Sequence, residues 1–112
     1  MSPYDLPAVL YCDDDALNLR VFDANFGQRF RIFRCNSPNE AQALLEQRRG
    51  EIGVVISDQR MPGMTGVELL ERARTLAPDA KRMLVTAYAD LQAVVDAVNR
   101  GQVTRYFVKP WD

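Results

Sequence analysis

The chain has 112 residues, of which 47% are hydrophobic and 26% are charged, with a net charge of -1 and no histidine. This length holds one domain with one core and excludes two. The balanced charge gives no reason to expect nucleic-acid or membrane binding by this segment, and the lack of histidine excludes a catalytic triad or a zinc site built on that residue.

Apolar runs alternate with helical periodicities from the start of the chain. Residues 8–12 are continuously apolar, as in a strand covered on both faces. Helical spacing follows until Gly27, where a helix can end. The apolar residues of this first helix are Leu17, Val21, Phe22 and Phe26. Residues 30–35 alternate apolar side chains with arginine and predict an edge strand, and residues 37–40 can cap a second helix that runs toward Gly50.

The middle of the chain carries the best candidate for a central strand. Residues 54–57 consist of three apolar, β-branched residues followed by Ser57, which is typical of a buried parallel strand. Proline and two glycines in residues 61–66 predict a loop, in which we expect Gly63 and Gly66 to serve turn geometry and not phosphate contact. Thr65 and Glu68 then offer a capping box for a third helix, which stops near Pro78.

Two further strands enclose the last helical stretch. Residues 82–86 and 106–108 predict strands, and the apolar residues 91, 94, 95 and 98 form a helical stripe between them. Five strands alternating with four helices predict an α/β fold with a parallel sheet and helices on both faces. Because no helix follows the fifth strand, we expect a segment trimmed from a longer protein. We also expect the uncovered sheet to promote homodimers or to lower stability.

Polar residues stand where the predicted strands end. They are Asp13, Asp14, Asp58, Thr86 and Lys109. Ligands of open parallel sheets bind at this edge, where crowded carboxylates need a cation to offset their repulsion. The pattern therefore predicts a Mg²⁺ site with Asp58 as the nucleophile that receives a phosphoryl group. Each residue also has an ordinary interpretation, as a helix cap, a strand end or a surface lysine, and we assign Asp15 as a helix cap.

Taken together, these motifs resemble the receiver domain of bacterial two-component response regulators. The resemblance runs from about residue 8 to residue 111 and rests on Asp13-Asp14, residues 58–66, Thr86-Ala87 and Lys109-Pro110. It implies a flavodoxin-like three-layer sandwich with strand order 2-1-3-4-5. It also implies a signalling switch that accepts a phosphoryl group on Asp58 from the phosphohistidine of a sensor histidine kinase or a phosphotransfer protein.

The resemblance implies a set of metal ligands. Asp14, Asp58 and the backbone carbonyl of Arg60 would bind Mg²⁺ directly. Asp13 would act largely through a metal-bound water. Mg²⁺ usually keeps several waters and takes a few carboxylates together with phosphate oxygens, which suits this set.

The resemblance also implies a switch. The Thr86 hydroxyl would move to the phosphoryl group, and Tyr106 would rotate into the space that threonine leaves. Lys109, aimed by a cis Lys109–Pro110 peptide, would neutralise phosphoryl charge. Arg60 and Tyr88 flank the route of water to the phosphoryl group in this family, so we expect them to slow its hydrolysis.

Three other classes of function compete with this interpretation. A phosphatase of the haloacid dehalogenase type also uses a strand-end aspartate, but it usually needs a second acid two residues on, where this chain has Arg60. A flavin-binding electron carrier needs a phosphate-cradling loop after the first strand, where Asp13 and Asp14 would repel phosphate. The complete acid, threonine and lysine set argues against a degenerate receiver that only binds partners.

Further expectations concern the surroundings of the domain. An output domain C-terminal to this segment, or a partner, would receive the signal, and we expect no turnover enzyme activity in the segment itself.

Cys12 and Cys35 lack the spacing of a redox or metal motif, so we expect buried reduced thiols in a cytoplasmic protein. No signal-peptide pattern opens the sequence given, and no apolar run reaches ~18 residues, the length of a membrane span.

Overall fold

The computed structural model describes residues 6–99 and 103–108, apart from the side chain of Tyr88. The strands are β1 Ala8–Cys12, β2 Arg31–Cys35, β3 Ile52–Asp58, β4 Lys81–Thr86 and β5 Arg105–Val108. The helices are α1 Ala16–Phe26, α2 Pro38–Gln47, α3 Gly66–Leu76 and α4 Leu91–Asn99. A 3-10 turn, Tyr88–Asp90, precedes α4 and was not predicted from the sequence. The alternating order of strands and helices is as predicted.

The five strands form one parallel sheet in the order β2-β1-β3-β4-β5, which confirms the predicted topology. The central strands β1 and β3 lie side by side, with Cys12 opposite Ser57. The ends of β3 and β4 lie together in the same way, with Asp58 opposite Val85. Parallel pairing therefore brings the residues that follow β1, β3 and β4 to one edge of the sheet.

Separate apolar clusters lie on the two faces of the sheet. On the α1 face, β1, β3 and β4 contribute buried side chains that pack against Leu19 and Phe22. On the other face, helices α2, α3 and α4 pack on the same strands, around Leu45, Leu70 and Val94. Burial on both faces explains why β1 is apolar at every position.

Three of the helices begin at a residue whose side chain caps the helix. The Asp15 carboxylate accepts a hydrogen bond from the Leu17 amide, which confirms its assignment as the cap of α1. Ser37 caps α2 through the Glu40 amide. Thr65 and Glu68 form the predicted capping box of α3. These caps satisfy amide groups that have no partner within the helix.

The first helix turns a different face to the core than its apolar spacing suggested. Leu17 and Val21 are 57% and 50% exposed, whereas Leu19 and Phe22 are buried. The Phe22 ring lies 4.5 Å from the Tyr11 ring and 4.9 Å from the Phe26 ring. These aromatic contacts fix the rotation of α1 on the sheet.

An apolar groove of about 210 Å³ lies beside α1, between Phe22, Phe26 and Phe107. The expected effects of an uncovered sheet on self-association and stability stay predictions.

No helix in the described part of the chain combines the length and the apolar character that crossing a membrane requires.

Candidate functional site

Three carboxylates meet at the edge of the sheet where the strands end. Asp13 and Asp14 follow β1, and Asp58 is the last residue of the neighbouring β3. Each offers one oxygen, and these oxygens all lie within 4.8 Å of one another. Asp13 and Asp58 are buried, while Asp14 is exposed. The structure therefore brings together the three acids that the sequence singled out.

The Asp13 carboxylate is held by three hydrogen bonds. The Tyr11 hydroxyl and the Asn18 side-chain amide donate to its Oδ2 atom at 2.8 and 3.1 Å. The Asp15 backbone N–H donates to Oδ1 at 3.0 Å. Tyr11 lies two residues before Asp13, so both side chains stand on the same face of β1. A buried carboxylate is tolerated where such donors compensate its lost hydration.

Tyr11 remains a hydrogen-bond donor at this position. Burial, together with the hydrogen bond to Asp13 and the charges of nearby carboxylates, raises its pKa well above the ordinary value for tyrosine. Its ring packs on Phe22 in the core beneath the site. The phenol therefore joins the apolar core to the acidic cluster through one side chain.

Gln59, the residue after Asp58, connects three elements. The Gln59 amide donates to the Val85 carbonyl in β4 at 2.9 Å, and the Gln59 carbonyl accepts from the Gly66 amide at 2.9 Å. Its side-chain Oε1 accepts from the Val67 amide at 3.0 Å. Gln59 thus fixes both β4 and the start of α3 to the end of β3.

The two glycines of the loop serve different purposes. Gly63 has a φ of 83°, a left-handed conformation that favours glycine, which confirms the turn role expected from the sequence. Gly66 lies in the first turn of α3 without a positive φ. A Cβ atom there would lie 2.3 Å from the Asp58 carbonyl oxygen and 2.6 Å from Leu84 Cδ1. Close approach of α3 to the end of β3, and not turn geometry, therefore requires glycine at this position.

Arg60 reaches across to the 3-10 turn before α4. Its Nε and Nη2 atoms donate to the two oxygens of Asp90 at 2.7 and 2.8 Å. This planar, bidentate geometry is the one that arginine and carboxylate prefer. The guanidinium holds the pKa of Asp90 below its ordinary value. The pair connects the loop after β3 with the segment after β4.

Of the other predicted site residues, Thr86 ends β4 and Tyr106 lies within β5. Thr86 is buried, and its hydroxyl donates to the Ala87 carbonyl at 3.2 Å. Tyr106 pairs with Leu84 in the sheet and is 37% exposed. Lys109, the Lys109–Pro110 peptide bond and the Tyr88 side chain lie outside the described part of the structure.

The cysteines are free and buried, in line with the expectation of reduced thiols. Cys12 and Cys35 are neighbours on β1 and β2. Burial raises the pKa of each thiol to about 12. The Cys12 thiol lies 3.6 Å from the sulfur of Met61. Both therefore serve packing beneath the site.

Four residues with contacts in or beside the site were not identified from the sequence: Tyr11, Asn18, Gln59 and Asp90. One signal was available for Tyr11, because a phenol in a fully buried strand needs an acceptor and an aspartate follows two residues later. The hydrogen-bond partners of the other three residues depend on how loops and helices pack against each other. The spacing of apolar residues along the sequence does not predict this packing.

The donor set suits a hard divalent cation. It consists of carboxylate oxygens close enough to share one ion, and one of the three residues is exposed to solvent. Mg²⁺ takes oxygen ligands and retains several waters, so a partly open cluster of this kind fits it. Neither cysteine is among the clustered residues, which disfavours a soft metal.

Comparisons with known proteins identify the family that the sequence motifs resemble. The model of the response regulator receiver domain family matches residues 9–112. The hydrogenase transcriptional regulatory protein HoxA of Cupriavidus necator is 35% identical over 103 residues, which make up 92% of this chain and 21% of that protein. The transcriptional regulatory protein FixJ of Bradyrhizobium diazoefficiens is 33% identical over 99 residues, or 88% of this chain and 44% of FixJ.

The fold has close counterparts among solved structures. The crystal structure of adenylate cyclase from Rhodopirellula baltica superposes with a TM-score of 0.91 at 34% identity, covering 96% of this chain and 78% of that one. This chain spans about a fifth of the length of curated relatives such as HoxA. The sheet order, the clustered acids and the family match agree, and the chain belongs to the receiver domain family of two-component response regulators.

Proposed function

We propose that this chain is a phosphorylation-dependent switch in which Asp58 accepts a phosphoryl group in a Mg²⁺-dependent reaction. The donor would be the phosphohistidine of a sensor histidine kinase or a phosphotransfer protein. The observation that carries the proposal is the cluster of Asp13, Asp14 and Asp58, whose oxygens lie within 4.8 Å of one another at the ends of two central strands. We place the acceptor and metal ligands in one domain that spans residues 1–112.

The chemical step is a transfer between two side chains. An Asp58 carboxylate oxygen attacks phosphorus, the bond from phosphorus to the partner's imidazole nitrogen breaks, and the imidazole leaves. Asp14, Asp58 and the Arg60 carbonyl would hold Mg²⁺, with Asp13 acting through a bound water. The cation supplies positive charge against the phosphoryl oxygens when bound.

Other residues would orient the group and respond to it. Lys109 would neutralise a phosphoryl oxygen, as an electrostatic contribution to positioning. The Thr86 hydroxyl, which now donates to the Ala87 carbonyl, would turn to the phosphoryl group. Tyr106, which is part-exposed in β5, would then move inward, and an output domain or a partner would receive the changed surface. The chain acts on itself and is not a turnover enzyme.

Phosphorylation of this chain will depend on Mg²⁺. We expect one added phosphoryl group after incubation with acetyl phosphate and Mg²⁺, because the cation offsets the repulsion between three clustered carboxylates and the incoming phosphate. Intact-mass spectrometry measures the product directly. With excess EDTA in place of Mg²⁺, the mass will stay unchanged. Equal phosphorylation in EDTA would contradict the metal requirement, and no phosphorylation in either condition would favour a receiver that only binds partners.

Arg60 will lengthen the lifetime of the phosphorylated state. Its side chain begins two residues after Asp58 and is held by both Asp90 oxygens. The family resemblance implies that this position flanks the route of water to the phosphoryl group. We expect Arg60→Ala to hydrolyse about tenfold faster, which corresponds to about 1.4 kcal/mol in activation free energy. The rate is measured by following the loss of phosphorylated protein after the phosphodonor is removed. Tyr88→Ala is expected to act in the same direction.

Two further variants separate this effect from a general loss of charge. Arg72→Ala removes an arginine from the surface of α3, where its Nη1 donates to Gln42, and will leave the rate unchanged. Asp90→Asn removes the charge of the residue that holds Arg60 and will speed hydrolysis as well. A rate equal to that of the original chain in Arg60→Ala would refute the role of this side chain.

A further inference from the structure

Asp13 stands out because the protein itself occupies much of its hydrogen-bonding capacity. Its Oδ2 accepts from the Tyr11 hydroxyl at 2.8 Å and from the Asn18 amide at 3.1 Å. Its Oδ1 accepts from the Asp15 N–H at 3.0 Å. The carboxylate is fully buried, so its orientation is set by these contacts and not by water.

The three donors come from two elements, β1 and the start of α1. Tyr11 belongs to β1, Asp15 caps α1, and Asn18 lies in the first turn of α1. The orientation of the Asp13 carboxylate therefore depends on how α1 packs against β1. Rotation of Asp13 would leave the buried Tyr11 hydroxyl without this acceptor, so the arrangement is mutually restraining.

We propose that Tyr11 and Asn18 are positioning residues of the metal site, which hold Asp13 in the orientation that a divalent cation needs before the cation binds. The inference rests on the proposed function, in which Mg²⁺ is the cation. Groups that hydrogen-bond to metal-binding side chains in this way fix their geometry, and their loss typically lowers metal affinity by roughly 10–100-fold.

The hydroxyl of Tyr11 can be separated from its ring. The ring packs 4.5 Å from the Phe22 ring and serves the core on the α1 face. Its hydrogen bond to Asp13 is made by the hydroxyl. Tyr11→Phe keeps the ring and its packing, so a purely structural role for Tyr11 predicts unchanged Mg²⁺ affinity in this variant.

The test is a calorimetric titration of the chain with Mg²⁺ alone, without a phosphodonor. We expect the dissociation constant to rise at least about tenfold in Tyr11→Phe and in Asn18→Ala. The double variant will lose less than the product of the two effects, because both donors act on one oxygen atom. Asn25→Ala is the matched control, since Asn25 lies on the same helix and donates only to the Val21 carbonyl among its described contacts.

The outcomes distinguish the two proposals. If the original chain binds Mg²⁺ and both single variants bind within twofold of it, the positioning role is refuted while the proposed function stands. If the original chain binds no Mg²⁺, the metal requirement of the proposed function is refuted together with this inference. Melting curves recorded without metal establish that each variant is folded, and Asn18→Ala tests the inference if Tyr11→Phe does not fold.

Discussion

Asp58→Asn will not be phosphorylated at all. The asparagine amide has nearly the shape of the carboxylate but cannot form an acyl phosphate, since it lacks the anionic oxygen that attacks phosphorus. Asp58 is also one of the three clustered acids, so its loss weakens the cation site as well. Both effects act in the same direction, and we expect the complete disappearance of the phosphorylated species in the intact-mass experiment with Mg²⁺ and acetyl phosphate.

The matched control for this variant is Asp79→Asn. The Asp79→Asn substitution removes the same charge, but Asp79 lies just before β4, at the opposite end of the sheet from the acidic cluster. We expect this variant to be phosphorylated to the same extent as the original chain. A phosphoryl group on Asp58→Asn would contradict the assignment of the acceptor and point to Asp13 or Asp14. Melting curves of both variants show whether the fold is retained.

Gly66→Ala will destabilise the fold strongly. The added methyl group would lie 2.3 Å from the Asp58 carbonyl oxygen, and that oxygen is backbone, so α3 and the end of β3 must separate. Overpacking typically costs about 1–3 kcal/mol, and we expect the upper end of this range because two regular elements have to move. For a domain of this size, about 3 kcal/mol lowers the melting temperature by more than ~10 °C. Urea denaturation gives the free energy of unfolding.

Gly53→Ala provides the matched control. It adds the same methyl group in β3, but the nearest atom is the Ala8 carbonyl oxygen at 3.7 Å, an ordinary contact. Gly53 is exposed and has no positive φ, so alanine is expected to stabilise this strand by up to about 1 kcal/mol. A loss below ~1 kcal/mol in Gly66→Ala would show that α3 can shift without cost.

Most of the fold could be predicted from the sequence because its signals are local. The continuous burial of β1 and the caps at Asp15, Ser37 and Thr65 follow from residue type and spacing. The 3-10 turn Tyr88–Asp90 was missed, since three residues are too few to show a periodicity. The exposure of Leu17 was also missed, because apolar spacing gives the existence of a helix but not which residues a neighbouring aromatic ring will cover.

The acidic cluster was predictable for a different reason. Asp13 and Asp58 end neighbouring parallel strands, and such strands place their ends at one edge of the sheet. The contacts of Asn18 and Asp90 depend on how a helix or a turn is rotated against the sheet, which no short sequence window contains. Gly66 was singled out correctly but for the wrong reason, because a glycine demanded by close packing looks the same in sequence as one demanded by a turn.

The loops around Asp58 differ in mechanical stiffness. On the α3 side, Gln59 accepts two hydrogen bonds from the amides of Gly66 and Val67, and Gly66 allows backbone contact, so this side can move only if α3 moves as a whole. On the α4 side, the described side-chain contact from this loop is the ion pair of Arg60 and Asp90. The Arg60 side chain is 76% exposed, and an ion pair so close to solvent contributes little to stability. The segment on the α3 side of Asp58 is therefore held firmly, and the segment on the α4 side is held weakly. We expect a change of charge at Asp58 to displace mainly the segment that leads to α4.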